Sequence, residues 1–251
     1  SGGHYDVGCL RELALVGCSG NRLFRGSSGF GFVDATDDWG VRESGWGWGA
    51  LAEDLNNDGH RELLTVEGQD FGGPEGADPT ASRGSDPLSQ ALEYFASGSV
   101  RLWRGGPTQP LDEVSKSAGF TTNGLLKAVV AFDHDDDGDL DLVVTDTGSP
   151  PRFYRNETPE QGHWLHLTLG DDTTPNTHAI GARVRLLDQA GEPAWLGEVR
   201  AGGGYQTSGP GTLHVGLGDR TDVTSVEVRW PDANEYQTYP VEGIDRAVDI
   251  V

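Results

Sequence analysis

The sequence predicts an all-β protein, with a partial β-propeller over residues 1–156 and a small β-sandwich over residues 157–251. Three observations lead there. Short apolar runs are separated by turn residues, with Gly 38 and Pro 13 in 251 residues, which is the texture of many short strands. A strand–loop–strand–strand pattern recurs along the first part. The last part alternates apolar with polar residues, as half-buried antiparallel strands do.

The repeat defines the first part. Arg22-Leu23-Phe24-Arg25 returns as Arg101-Leu102-Trp103-Arg104 and as Arg152-Phe153-Tyr154-Arg155. Each copy follows an acid-led apolar run, at Glu12–Val16, Glu62–Val66 and Asp141–Thr145. A tail follows the first two copies, Phe32-x-Asp34-x-Thr36 and Leu111-x-Glu113-x-Ser115. One unit is therefore strand, acidic loop, strand, turn, strand and tail strand, the plan of a four-stranded propeller blade. The Gly45-Trp46-Gly47-Trp48-Gly49 run sets both tryptophans on one strand face, where packing between blades is favoured over a sugar-stacking platform.

Two acidic loops join the first two strands of their units: Asp54-Leu55-Asn56-Asn57-Asp58-Gly59-His60-Arg61-Glu62 and Asp133-His134-Asp135-Asp136-Asp137-Gly138-Asp139-Leu140-Asp141. Both carry oxygen ligands at positions 1, 3 and 5, a glycine at 6 and a carboxylate at 9, a donor set suited to a hard cation such as calcium. Carboxylates this dense repel one another unless a cation lies between them. Position 12 is Thr65 or Val144, and β-branched apolar runs follow, so neither loop is an EF-hand. Two calcium sites are expected. Asp54, Asn56, Asp58 and Glu62 form one, and Asp133, Asp135, Asp137 and Asp141 the other. The backbone carbonyls of His60 and Asp139 each add a ligand. Aligning Glu12 with Glu62 sets His4, Asp6 and Gly8 where the ligands stand, so the incomplete first blade is expected to bind no ion. Chelation is expected to destabilise the blades more than the C-terminal part.

Glu62 to Arg101 is far longer than the matching stretch in either other copy, which marks an insertion at 69–99. Its second half reads as a helix, with Asp86 as N-cap, Pro87 at N1 and Gly98 as the stop. By topology it leaves the blade at the end opposite the acidic loops. Phe71, Tyr94 or Phe95 is expected to contact a partner chain or a neighbouring blade, because ordering so long an excursion has to be offset by burial.

In the last part Ile180, Ala182, Val184 and Leu186 alternate with polar or glycine positions, and so do Leu213, Val215 and Leu217, then Val226, Val228 and Trp230. Turns are expected at Ala190-Gly191 and Asp232-Ala233-Asn234. His163 and His166 lie three apart on one strand, so they point to opposite faces and are not expected to share a metal. Asn156-Glu157-Thr158 has the form of an N-glycosylation acceptor. No Gly-x-Ser-x-Gly or His-Glu-x-x-His motif occurs, and no catalytic constellation emerges.

The net charge of -22 argues against nucleic acid, whose phosphates demand a basic face. No apolar run approaches the ~20 residues of a membrane span. Met is absent, so the lack of a leader says nothing about secretion. If a strand lies between them, Cys9 and Cys18 are on the order of 20–30 Å apart, too far for a bond that needs Cα atoms within about 7 Å.

The acidic loop, the Arg-aromatic-Arg strand and the Phe-x-Asp-x-Thr tail together resemble FG-GAP/VCBS repeats, the blades of integrin α-type propellers. From about Asn156 the chain resembles the ASPIC/UnbV domain of the cartilage acidic protein family, through His163-Trp164-Leu165, Ile180 to Val184, Gly204-Tyr205, Val215 to Gly218 and Val228 to Pro231. The repeats are too few to close a propeller of about 4–8 blades, so further blades are expected from upstream sequence or another chain. The resemblance implies a secreted, cell-surface or periplasmic calcium-binding recognition or adhesion module without catalysis. Its protein or glycan ligand would sit on the face opposite the calcium loops. The alternative is a non-catalytic part or subunit of an enzyme acting on an extracellular polymer.

Overall fold

The computed structural model describes residues 20–27, 29, 31–69, 89, 93, 95–121, 123–159 and 162–251. The protein is all-β, built from several small sheets. No helix among the described residues is long and apolar enough to cross a membrane. Cys9, Cys18, the His4–Gly8 stretch and most of the insertion, including Phe71, Asp86 and Tyr94, lie outside the described residues. The chain forms two compact units. One holds Ser1–Leu51, Leu63–Val129 and Val144–Arg152; the other holds Ala52–Glu62, Val130–Val143 and Phe153–Val251.

The repeats account for three sheets. β1 (Phe24–Gly26) pairs antiparallel with β2 (Phe32–Asp34). β3 (Gly47–Glu53), β4 (Glu62–Glu67), β5 (Val100–Arg104) and β6 (Asp112–Glu113) follow one another in a four-stranded sheet. β7 (Leu126–Phe132), β8 (Asp141–Asp146) and β9 (Arg152–Tyr154) form a three-stranded sheet in the same order.

Hydrogen bonding explains the repeated motifs of the first unit. Asp34 Oδ1 accepts from the Thr36 N–H and hydroxyl, and Thr36 Oγ1 accepts from Leu23 N at 2.9 Å. In the next copy Glu113 accepts from Ser115 N, and Ser115 Oγ accepts from Leu102 N at 2.7 Å. The acid–x–hydroxyl tail is thus a local turn that satisfies a backbone donor of the preceding strand. The first arginine of the other motif also has a repeated task. Arg101 meets Glu67 at 3.0 Å and Arg152 meets Asp146 at 2.9 Å. Both carboxylates are buried, so each needs its guanidinium. Val41, Trp103 and Leu111 pack together, with Leu23, Trp39 and Leu63 against them.

The tryptophans of the Gly-Trp run differ in their surroundings. Trp48 Nε1 donates to the Gly68 carbonyl at 2.9 Å, and the Lys127 ammonium lies 4.3 Å from its ring centre. Trp46 is half exposed and meets Phe95 edge-on at 5.8 Å. Ser89, Glu93, Phe95 and Ala96 have helical backbone, in the stretch where a helix is expected.

In the second unit, β13 (Leu213–Gly218), β10 (His163–Leu169) and β16 (Arg246–Ile250) form one sheet, with β10 parallel to β16. β12 (Pro193–Glu198), β11 (Arg183–Asp188), β14 (Val223–Arg229) and β15 (Gln237–Pro240) form another. Leu165, Leu167, Val215, Val184, Leu186, Val226 and Val228 from both sheets share one buried core. The expected inward position of Ile180 is corrected: it is exposed and Ala179 is buried. Ala179 and Gly181 have positive φ, so a turn precedes Arg183 and breaks the alternation there. The turn at Ala190-Gly191 is present, with Asp188 Oδ1 accepting from the N–H groups of Ala190 and Glu192.

Candidate metal centre

Both acidic loops belong to the second unit, and they fold alike. Position 1 accepts from the N–H of position 6: Gly59 N to Asp54 Oδ2 at 2.8 Å, Gly138 N to Asp133 Oδ2 at 2.9 Å. Position 5 accepts from position 7: His60 N to Asp58 Oδ1 at 2.8 Å, Asp139 N to Asp137 Oδ1 at 3.0 Å. Position 9 accepts from position 2: Leu55 N to Glu62 Oε2 at 2.8 Å, His134 N to Asp141 Oδ2 at 3.0 Å. Positions 4 and 6 have positive φ in both, 61° and 86° at Asn57 and Gly59, 60° and 93° at Asp136 and Gly138. Asparagine, aspartate and glycine are the residues that tolerate this conformation.

The fold brings some expected ligands together and leaves others apart. Side-chain oxygens of Asp133, Asp135 and Asp141 lie within 4.8 Å of one another. Asp137 stands outside that trio, with Oδ2 3.7 Å from Arg155. The same guanidinium is 2.9 Å from Asp135 Oδ2, so it partly offsets the crowding of negative charge. No such carboxylate trio forms in the first loop among the described residues. There position 3 is an amide, and Asn56 Oδ1 accepts from Asp58 N at 3.2 Å.

Burial and crowding act on the carboxyl groups of both loops. Asp54 is buried, and its Oδ1 has no hydrogen-bond partner. Burial pushes its pKa up to about 6, and the nearby Asp58 adds to the rise. Burial also raises Asp139 to about 7, helped by Asp137, Asp133, Asp141 and Asp135. An orphaned buried carboxylate oxygen carries a desolvation cost, and a hard cation would remove it. The donor set, all oxygen, fits such an ion.

Residues that sequence reasoning missed hold the loops in place. Asn57 is buried; its Nδ2 donates to Gly138 O at 3.1 Å and Asp139 Oδ1 at 3.3 Å. Asn156 Nδ2 donates to Leu55 O at 2.6 Å and Leu140 O at 3.3 Å, and its N–H donates to Asp141 Oδ1 at 2.7 Å. The candidate glycosylation amide is therefore committed to binding both loops. The one signal in the sequence was an asparagine, a residue that tolerates positive φ, at position 4 between two expected ligands.

The sheet β13-β10-β16 lies against the loops. Gly218 N donates to Asn57 O at 2.7 Å, and Gly162 N to Asn56 O at 3.3 Å. A Cβ at Gly216 would strike Asp54 Oδ2, and one at Gly138 would strike the Trp164 ring. His166 Nδ1 is 3.5 Å from Asp133 Oδ2, and its Nε2 is 2.8 Å from His214 Nδ1. Burial lowers both histidines, His214 to about 3. His163 turns instead to Asp245, at 2.9 Å, so the two histidines of β10 have separate partners. A cleft of about 170 Å³ beside the first loop is lined by Arg61, Trp195 and His214, among others.

Residues 172–251 match the family model described as ASPIC and UnbV. No curated protein matches the chain.

Proposed function

We propose that this chain is a calcium-stabilised recognition module of a secreted, cell-surface or periplasmic protein, in which the ions are structural. One observation carries the reading: the two loops repeat a single hydrogen-bond plan, with the oxygens of Asp133, Asp135 and Asp141 converging in the second and Asp54 Oδ1 buried and unpaired in the first. Asp54, Asn56, Asp58 and Glu62 would hold one ion and Asp133, Asp135, Asp137 and Asp141 the other, with the His60 and Asp139 carbonyls completing the shells. The loops would belong to FG-GAP/VCBS-type blades of a partial propeller, and the C-terminal sheets to a small sandwich. A protein or glycan ligand would bind on the face opposite the loops, with the 69–99 insertion contributing contacts.

Calorimetric titration of chelator-treated protein with CaCl2 is the test. Two sites are expected, and one after Asp137→Ala. At calcium tenfold above the dissociation constant, each site contributes about 1.4 kcal/mol of stability. Absence of binding at millimolar calcium overturns the reading.

A further inference from the structure

We infer that the two loops bind calcium cooperatively, with Asn57 as the residue that couples them. The inference rests on the calcium reading above and adds to it a thermodynamic link between the sites. Asn57 stands in the first loop between two proposed ligands, Asn56 and Asp58. Its side chain reaches into the second loop, donating to Gly138 O at 3.1 Å and Asp139 Oδ1 at 3.3 Å. The peptide it grips is the one whose N–H, on Asp139, donates to Asp137 Oδ1 at 3.0 Å. That peptide is therefore held at both ends, by the first loop through its carbonyl and by a ligand of the second loop through its N–H.

Filling the first loop fixes the backbone on both sides of Asn57 and so fixes the donor that orders the second loop. The ordering cost is met once for two ions, which gives positive coupling. Asn156 works in the same direction, joining Leu55 O to Leu140 O and anchoring Asp141. Charge opposes the effect, because an ion in one loop weakens the field at the other. Asp54, Glu62 and Asp141 are buried, and the exposed ligands Asp58, Asp135 and Asp137 carry only part of that opposing effect. That part is screened over about 8 Å at physiological salt, whereas the Asn57–Gly138 bond is buried and is not.

A double-mutant cycle tests this. Asn57→Gly removes the donors and keeps the positive φ that glycine adopts without strain. Calcium affinity of the first loop is measured by calorimetry at 0.15 M salt, an ionic strength of ordinary physiological order. Wild type, Asp137→Ala, Asn57→Gly and the double variant are compared, with circular dichroism checking the fold of each. Asp137→Ala is expected to weaken the first loop by roughly fivefold or more, within the usual range of coupling between sites. In the Asn57→Gly background the same change is expected to leave that loop unaltered.

If Asp137→Ala leaves the first loop unchanged in both backgrounds, the sites are independent; the coupling is overturned and the calcium reading stands. If it weakens that loop equally in both, the link does not run through Asn57 and the assignment is overturned. If wild type binds no calcium, both readings fall together. Should Asn57→Gly not fold, Asn57→Asp replaces it, since it removes the amide donors and tolerates positive φ; loss of coupling supports the assignment, and full coupling overturns it.

Discussion

His214 shows how one side chain links the acidic loops to the rest of their unit. It sits 2.8 Å from His166, which in turn faces Asp133. Burial, and then the neighbouring His166, hold its pKa down at about 3. The neutral imidazole is thus favoured in the folded state. A group depressed on folding contributes stability in full above its unfolded value of 6.5, and loses it as pH falls towards 3. Wild type is therefore expected to lose on the order of 2 kcal/mol between pH 7.5 and pH 5 that His214→Asn keeps. Urea denaturation at several pH values, without added calcium, reads the difference. Parallel pH profiles for the two proteins would show that His214 is not held neutral by burial. No sequence signal marked this residue, because the β10–β13 pairing that brings the two histidines together is a matter of tertiary structure.

At the scale of elements, the repeated tail was legible as a pattern, and its cause is a hydrogen bond. Leu102 N donates to the buried Ser115 Oγ at 2.7 Å, as Leu23 N donates to Thr36 Oγ1. Ser115→Ala leaves a buried N–H without its acceptor and is expected to cost about 1–3 kcal/mol. Ser115→Thr, which copies the other repeat, is expected to cost far less. Chemical denaturation distinguishes them; equal losses would point to packing rather than the hydroxyl. The arginine motif was equally visible, yet its partners were not. Glu67 and Asp146 end the preceding strands and pair with Arg101 and Arg152. They meet these arginines only when the strands turn back on each other.

At the scale of the whole molecule, the division into units changes one expectation. The acidic loops cluster with the C-terminal sheets, and β10 and β13 rest on them through Trp164, His166, Gly216 and Gly218. Chelation is therefore expected to loosen β10 and β13, and not only the strands that lead into the loops. Hydrogen exchange with and without calcium should show faster amide exchange across 163–169 and 213–218 in chelator. Unchanged protection there, with loss confined to 47–67 and 126–146, would return the effect to the blades alone.

The sequence by itself determined the strands, the repeat and the oxygen set of both loops. Those features are written in local spacing: period-2 alternation, the turn residues, and side-chain oxygens at positions 1, 3, 5 and 9 around a glycine. Only the tertiary structure decided what joins the loops and what covers them. In the sequence Asn57 had no assigned role and Asn156 only the form of a glycosylation acceptor, because their partners lie far along the chain. Ile180 continued an apparent alternation that positive φ at Ala179 and Gly181 interrupts. The physical reason is common to all three. Local pattern specifies which backbone conformations are cheap, whereas burial and long-range hydrogen bonds form only after distant segments have packed.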